Sequence, residues 1–276
     1  MNRPANQLPS LQPHSLQNNL KLWCDPKHAD IITDSYITNS INQRDSNLIN
    51  THAQILKTGT RRRVIRVNAT KGHLVIKLFP FTKIKEKLKY KKYGLAEIYN
   101  NIRARKLGIP APHYYAYFEL RHFGLVSMNG CIMNFLDQHT SLEDICNSEK
   151  DALHLAIPVL TKLFHKGVNH IDISPANIFF TDDKTDFSII DWQYCSFYTP
   201  NDPLQLVVQT AHFLRGIKTE LNQNLQSEWL EQLCQSSNPD ISRQSFLTAI
   251  SNLQNSKLSI KDRLALDYDR TALFGN

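Results

Sequence analysis

Glycine is scarce in this chain: 276 residues hold nine glycines against twelve prolines, which excludes a collagen-like or glycine-rich low-complexity polymer. Paired cysteines are missing too. Cys24, Cys131, Cys146, Cys195 and Cys234 are scattered, odd in number and without a CxxC pair, so neither a zinc knuckle nor a disulfide framework is supported, and a reducing cytoplasm fits best. No run approaches the roughly 18 apolar residues of a membrane span, and MNRPANQLPSLQPHSLQ lacks the apolar core of a secretion signal; a soluble or peripheral cytoplasmic protein is expected. Charge of one sign is only weakly in excess. Lys and Arg number 32 against 25 Asp and Glu, a net +7 that suggests mild attraction to phosphate-bearing partners but no nucleic-acid partner. What the chain does have is 41% hydrophobic residues, enough for a sizeable core in two lobes or two small domains.

Residues 1 to about 20, rich in Asn, Gln, Pro and Ser, read as a mobile tail, and residues 21 to 50 as a loosely packed extension without a clean period. AQILKTG, RRRVIRV and HLVIKLF then predict three consecutive antiparallel strands. Leu95, Ile98, Tyr99 and Ile102 recur at helical spacing, with Gly108 and Pro110 as the stop, and HYYAYFELR and GCIMNFL read as two further strands. After Asp137 the pattern turns helical: Leu153, Ile157, Leu160 and Leu163 form one stripe closed by Gly167, and Asp202-Pro203 opens another helix. The expected organisation is an N-terminal extension (1–50), a β lobe with one helix (51–136) and a mostly helical lobe (137–276).

Two apolar pieces bracketed by Asp and Asn hold the candidate chemistry. NHIDISPANIFF sets His170, Asp172 and Asn177 in the order HxDxxxxN, and SIIDWQ ends a strand-like run at Asp191. Lys77 sits inside HLVIKLF, and Glu97 follows 20 residues later on the predicted helix. The order of Lys77, Glu97, Asp172, Asn177 and Asp191 along the chain is what carries the reading.

In that order the chain resembles the protein-kinase-like superfamily over roughly residues 55 to 215. The resemblance implies an α+β, two-lobed kinase-like fold and an ATP- and Mg2+-dependent phosphotransferase. Lys77, held by Glu97, contacts the nucleotide phosphates; Asp172 orients the acceptor hydroxyl; Asn177 and Asp191 bind the metal. Gly59 in LKTGTRRRVIRV stands alone where the family has two or three glycines, so Arg61 to Arg63 are candidates to supply charge over the phosphates. Ile171 replaces the arginine of phosphorylation-regulated kinases, Ser174-Pro175 replaces the lysine of serine/threonine kinases, and no APE tripeptide follows Asp191. GIPAPHYYAYFE, CIMNFLD and FHKGVNHIDISPANIFF look most like lipopolysaccharide core (heptose) kinases, implying a glycolipid sugar as acceptor, with a small molecule or a protein as alternatives. A nucleotide-binding pseudokinase is the reading from another class.

Plainer roles exist for each residue. Asp and Asn make turns and caps, His170 suits a structural hydrogen bond, and Cys195 suits a packed thiol. The run Lys83, Lys85, Lys87, Lys89, Lys91 and Lys92 is either a solvated face or a surface for anionic lipid or glycolipid phosphates.

Overall fold

A computed structural model describes residues 11–15, 19–29, 41, 53–69, 72–149, 151–217, 223–256 and 259–274. The chain divides into two compact units, one drawn from Met1–Ile102 and Pro112–Asp137, the other from Arg103–Ala111 and Gln138–Asn276. The antiparallel sheet of the first and the helices of the second give the kinase-like α+β architecture that the motif order implies.

In chain order the first unit holds β1 (Gln12–Ser15), β2 (Leu20–Cys24), β3 (Ala53–Thr58), β4 (Arg63–Ala69), β5 (Gly72–Pro80), α1 (Ile84–Leu88), most of α2 (Gly94–Lys106), β6 (Tyr114–His122) and β7 (Leu125–Asn134). The seven strands form one antiparallel sheet in the order β1-β2-β6-β7-β5-β4-β3. Strand alternation decides what faces what. In β5, Leu74, Ile76 and Leu78 enter a core with Ile65, Val67, Phe118 and Ile132, while Val75 on the opposite face packs with Leu95 and Ile98 of α2. Lys77 shares the register of Val75 and so lies on the helix side.

The glycine at 130 has a steric reason. A Cβ there would stand 2.1 Å from the Lys77 carbonyl oxygen and 2.4 Å from the Phe118 ring, and one on Gly94, at the start of α2, would come 3.1 Å from Gly130 Cα. Two facing glycines therefore let the helix rest directly on the strand that neighbours Lys77. Asn129 fixes the same corner: its side-chain oxygen accepts from the Gly94 amide at 3.4 Å and its nitrogen donates to the Tyr90 carbonyl at 2.8 Å.

The N-terminal extension departs from expectation. Leu20–Cys24 pairs along Ala116–Leu120 with Leu20, Leu22 and Cys24 in one core and Trp23, 5.3 Å from the Tyr117 ring, in another. Every residue of this short strand except Lys21 is buried, so the alternation that would have revealed it spans a single polar position. Ile41 is buried as well; the other residues of 1–50 beyond 11–15 and 19–29 lie outside the described residues.

The second unit contains β8 (His139–Ser141), α3 (Leu142–Ser148), α4 (Ala156–His165), β9 (Val168–His170), β10 (Ile178–Thr181), β11 (Phe187–Ile189), β12 (Cys195–Phe197), α5 (Pro203–Arg215), α6 (Gln223–Ser237), α7 (Arg243–Gln254), α8 (Ile260–Ala265) and α9 (Arg270–Phe274). Leu160, Leu163 and Phe164 of α4 join Val207, Ala211 and Phe213 of α5 and Phe246 and Ile250 of α7 in one core. Gly167 ends α4 at φ 61, as the sequence indicated, and Asp202 caps α5 through the Leu204 amide at 3.0 Å.

Gly130→Ala is expected to destabilise the protein by about 1–3 kcal/mol or more, since overpacked backbone has no rotamer to escape into. The midpoint of urea unfolding measures it; a wild-type midpoint would show that α2 does not need the close approach.

Candidate active site

Each unit carries part of the donor set. In the first, the Lys77 ammonium pairs with Glu97 Oε1, both side chains being almost wholly out of water. The Tyr114 hydroxyl donates to the same carboxylate oxygen at 2.7 Å. Removing two charges from water costs several kcal/mol per ion, so the pair persists only because the partners meet closely and Tyr114 adds a hydrogen bond. Glu97 alone would be an ordinary helix glutamate. Its place on the buried side of α2, beside Leu95 and Ile98, reserves it for Lys77.

The second unit builds its loop from two short antiparallel pairs. β10 and β11 pair with Ile178 opposite Ile189, and beyond them the Ile190 amide donates to the Asn177 carbonyl at 3.0 Å, so the open end of this hairpin brings Asn177 beside the residues leading into Asp191. β9 and β12 pair His170 with Cys195, and the Ile171 amide donates to the Tyr194 carbonyl. Together these set Asp172 close to Asn177, whose side-chain nitrogen donates to the Asp172 carbonyl at 2.8 Å. That bond orients the amide with its oxygen as the remaining acceptor.

Asp191 is buried and left-handed at φ 66, a conformation that Asp and Asn tolerate better than most residues and that strained functional loops collect. Next to it Trp192 is fully buried and donates from Nε1 to the Ile189 carbonyl at 2.7 Å. His170 packs edge-on against Trp192, ring centroids 4.8 Å apart, and its Nε2 lies 3.0 Å from the Ile190 carbonyl. Burial pushes the His170 pKa below its ordinary value, outweighing Asp191 and Asp172, so the ring is a neutral donor that braces the segment before Asp191. This is the structural role that its sequence setting suggested. Burial likewise pushes the Cys195 thiol far up, leaving a packed and inert side chain.

Three residues of this region carry no signal in the motif. His212 on α5 stands 3.6 Å from Asp172 Oδ1, and this contact lowers the Asp172 pKa against the opposing effects of burial and of the nearby Asp191 charge. Arg263 on α8 is buried and donates to the Ile171 carbonyl, 92 residues away in sequence. It therefore braces the chain next to Asp172. Gln209 reinforces it, with its side-chain nitrogen 3.2 Å from the Val168 carbonyl and 3.4 Å from that of His170.

The remaining candidates lie apart. Gly59 is at the exposed tip of the β3–β4 hairpin, where its amide donates to the Arg62 carbonyl at 2.9 Å and is thereby engaged within the turn. Lys83–Lys92 is not a strand. It forms the single-turn helix α1 and a 3-10 turn at Tyr90–Lys92, with Lys83, Lys85, Lys89 and Lys92 exposed.

Among the described residues no three His, Cys, Asp or Glu side chains form a group able to hold an ion. Magnesium nonetheless keeps several waters and takes one or two carboxylates plus phosphate oxygens, and Asp191 with the oriented Asn177 oxygen fits that demand.

No family model matches the chain, and no curated protein matches it. Among solved structures, one described as WaaP in complex with acyl carrier protein matches with a TM-score of 0.52 at 14% identity, covering 78% of this chain and 89% of that one. The likeness shows that the chain has this fold, in agreement with the kinase-like reading of its motifs.

A pH dependence follows from His170. Its pKa is lowered in the folded state, so below the ordinary histidine value of about 6.5 the unfolded chain takes up a proton that the folded chain refuses, and stability falls as pH drops. His170→Asn, which retains a donor for Ile190, should show a smaller drop in melting temperature than wild type between about pH 7.5 and 5.5. Equal drops would place the His170 ring in a different state from the neutral donor described above.

Proposed function

We propose that this protein is an ATP-dependent phosphotransferase that phosphorylates a hydroxyl group, with a sugar of a lipopolysaccharide core as acceptor. The observation that carries the reading is the buried Lys77–Glu97 pair, formed by two residues 20 apart in sequence on a kinase-like fold. A buried ion pair is seldom the most stable filling for a core, since apolar residues of similar size often do as well or better. Its retention is explained if the ammonium, held ready by Glu97, neutralises nucleotide phosphates.

Asp172 is the residue to receive the proton of the acceptor hydroxyl. Held ionised by His212 and half exposed, its carboxylate is an available acceptor across neutral pH. Asp191 and Asn177 would hold magnesium, which supplies charge neutralisation for the transferred phosphoryl group. Arg263, Gln209 and Asn177 hold the backbone on both sides of Asp172, so its carboxylate is oriented before any substrate arrives. Ser174-Pro175, in place of a lysine, and the mere five residues between Phe197 and Pro203 that are neither strand nor helix argue against a peptide acceptor and favour a sugar. A glycolipid acceptor would place the enzyme at the cytoplasmic face of a membrane.

A nucleotide-binding pseudokinase is the second reading, favoured by the engagement of the Gly59 amide within its own hairpin. Transfer from γ-labelled ATP to core glycolipids, free sugars and a generic protein separates the two. Transfer to the glycolipid is expected; preference for the protein would overturn the acceptor class, and nucleotide binding without transfer to any acceptor would favour the pseudokinase.

Two substitutions test the roles. Asp172→Asn should lower turnover about a hundredfold or more while leaving nucleotide affinity within a few fold. Asp191→Asn suits the left-handed backbone and should keep the melting temperature, yet lose magnesium-dependent nucleotide binding measured by calorimetry. Magnesium dependence equal to wild type in Asp191→Asn would remove that residue from the metal site.

A further inference from the structure

The three most exposed large apolar side chains among the described residues are Phe123, fully in solvent, and Leu88 and Ile84, 69% and 68% exposed. Phe123 lies at a turn of the sheet, and Ile84 and Leu88 lie on α1, which packs against a strand of that sheet. Phe123 and Gly124 form the two-residue turn between β6 and β7, with His122 paired to Leu125. The Phe81 amide donates to the Ser127 carbonyl at 2.8 Å, bringing the chain that enters α1 alongside the first residues of β7, and α1 packs against β7. Leu125, the first residue of β7, is exposed as well.

The turn is built against its own local preference. Both central residues have positive φ, 47 at Phe123 and 78 at Gly124, the geometry that selects Asn-Gly or Gly-Gly because a bulky side chain is strained there. Phenylalanine at that position lifts an aromatic ring into water while holding strained backbone, and no contact within the described protein offsets either cost. On the segment of Ile84 and Leu88 the charge is predominantly positive. Lys83, Lys85, Lys87, Lys89, Lys91 and Lys92 flank Ile84 and Leu88, the acidic residue within the segment is Glu86, and its carboxylate turns back to the Lys83 amide.

This surface is also fixed. Asn129 holds the Tyr90 carbonyl, Phe79, Phe81, Val126, Tyr90 and Tyr93 pack beneath it, and the buried Glu119 carboxylate takes two bonds from Arg121, at 3.0 and 2.6 Å, and one from Tyr117 at 2.9 Å. Apolar side chains projecting from a rigid platform beside a run of lysines match an anionic bilayer, whose headgroups take the ammonium groups while the apolar side chains enter the acyl boundary.

We propose that Phe123, Ile84 and Leu88 form an apolar wedge that inserts into an anionic lipid bilayer, with Lys83–Lys92 pairing with its headgroups. The partner is the bilayer itself, so docking is independent of nucleotide and of any phosphoryl acceptor. It differs from purely electrostatic attraction, which salt abolishes, because the wedge contributes a salt-resistant part.

Sedimentation of the full chain with phosphatidylethanolamine–phosphatidylglycerol vesicles, without nucleotide, tests it. Binding is expected there and not to phosphatidylcholine vesicles, weakened by salt without vanishing. Phe123→Asn, which suits the turn and should leave the melting temperature equal or higher, is expected to weaken vesicle binding about tenfold, as for loss of one buried aromatic ring. Ile84→Gln with Leu88→Gln should act similarly, and changing four of the lysines to Gln should remove most of the salt-sensitive part. Wild-type affinity in Phe123→Asn, or no binding to the anionic vesicles, overturns the proposal. So does a vesicle-free dimer, seen by analytical ultracentrifugation, that Phe123→Asn dissociates, since the occupant would then be a second copy of the chain. Transfer activity on a soluble sugar in the same variants reads the catalytic proposal separately.

Discussion

A lysine and a glutamate stay out of water together only while they touch, and the first unit is arranged around that requirement. Lys77 is fixed by the register of β5 and cannot approach its partner. Glu97 must therefore be delivered by α2, and the helix can lie close enough only because Gly94 meets Gly130 without side chains between them. Asn129 then fixes the helix start and Tyr114 the carboxylate. Losing any of these supports would separate the charges and expose the protein to the full desolvation cost of each ion, a larger penalty than the contact that was removed. One pairing thus accounts for two glycines, a buried asparagine and a buried tyrosine hydroxyl.

The second unit meets a different demand. Asp172 has to point a charged carboxylate at solvent while the chain that carries it is buried at Ile171 and Ile173. Buried backbone needs partners, and each is supplied from a separate element: the His170 carbonyl from Gln209 on α5, the Ile171 amide from Tyr194, the Ile171 carbonyl from Arg263 on α8 and the Asp172 carbonyl from Asn177. The loop is irregular in dihedral angles yet closed in hydrogen bonding, so it holds its shape without a ligand. Preorganisation of this kind is what transfer by alignment requires.

How much of this the sequence disclosed depended on the range of each interaction. Strand alternation and helical spacing put Lys77 on a strand and Glu97 on a helix, but what singled out Lys77, Glu97, Asp172, Asn177 and Asp191 was their order along the chain, which resembles that of kinases. The fold class followed from the same patterns. Arg263 and His212 were not legible: each reaches the loop from a helix distant in sequence, and an arginine in IKDRLA or a histidine in TAHFLRG looks like any surface residue. β2 escaped because its five residues show only one exposed position, too short a pattern to read as a strand, and Gly130 because close approach of a helix to a strand is a property of two elements at once.

The same closed loop bears on control. Kinases that are switched by phosphorylation use an arginine beside the catalytic aspartate to clamp a phosphate, and a glycine after the metal-binding aspartate to let the backbone rotate. Here Ile171 offers no side-chain charge, and its carbonyl is already occupied by Arg263. Gln193 stands where the glycine would be, and Trp192, locked by its bond to the Ile189 carbonyl, has no space in which to turn. A segment switches when two arrangements have similar free energy. Rotating Asp191 away would break the hydrogen bond of Trp192, expose its ring and leave the His170 edge unpacked, and nothing among the described residues repays that loss. Trp192, His170 and Arg263 therefore hold the segment in a single arrangement.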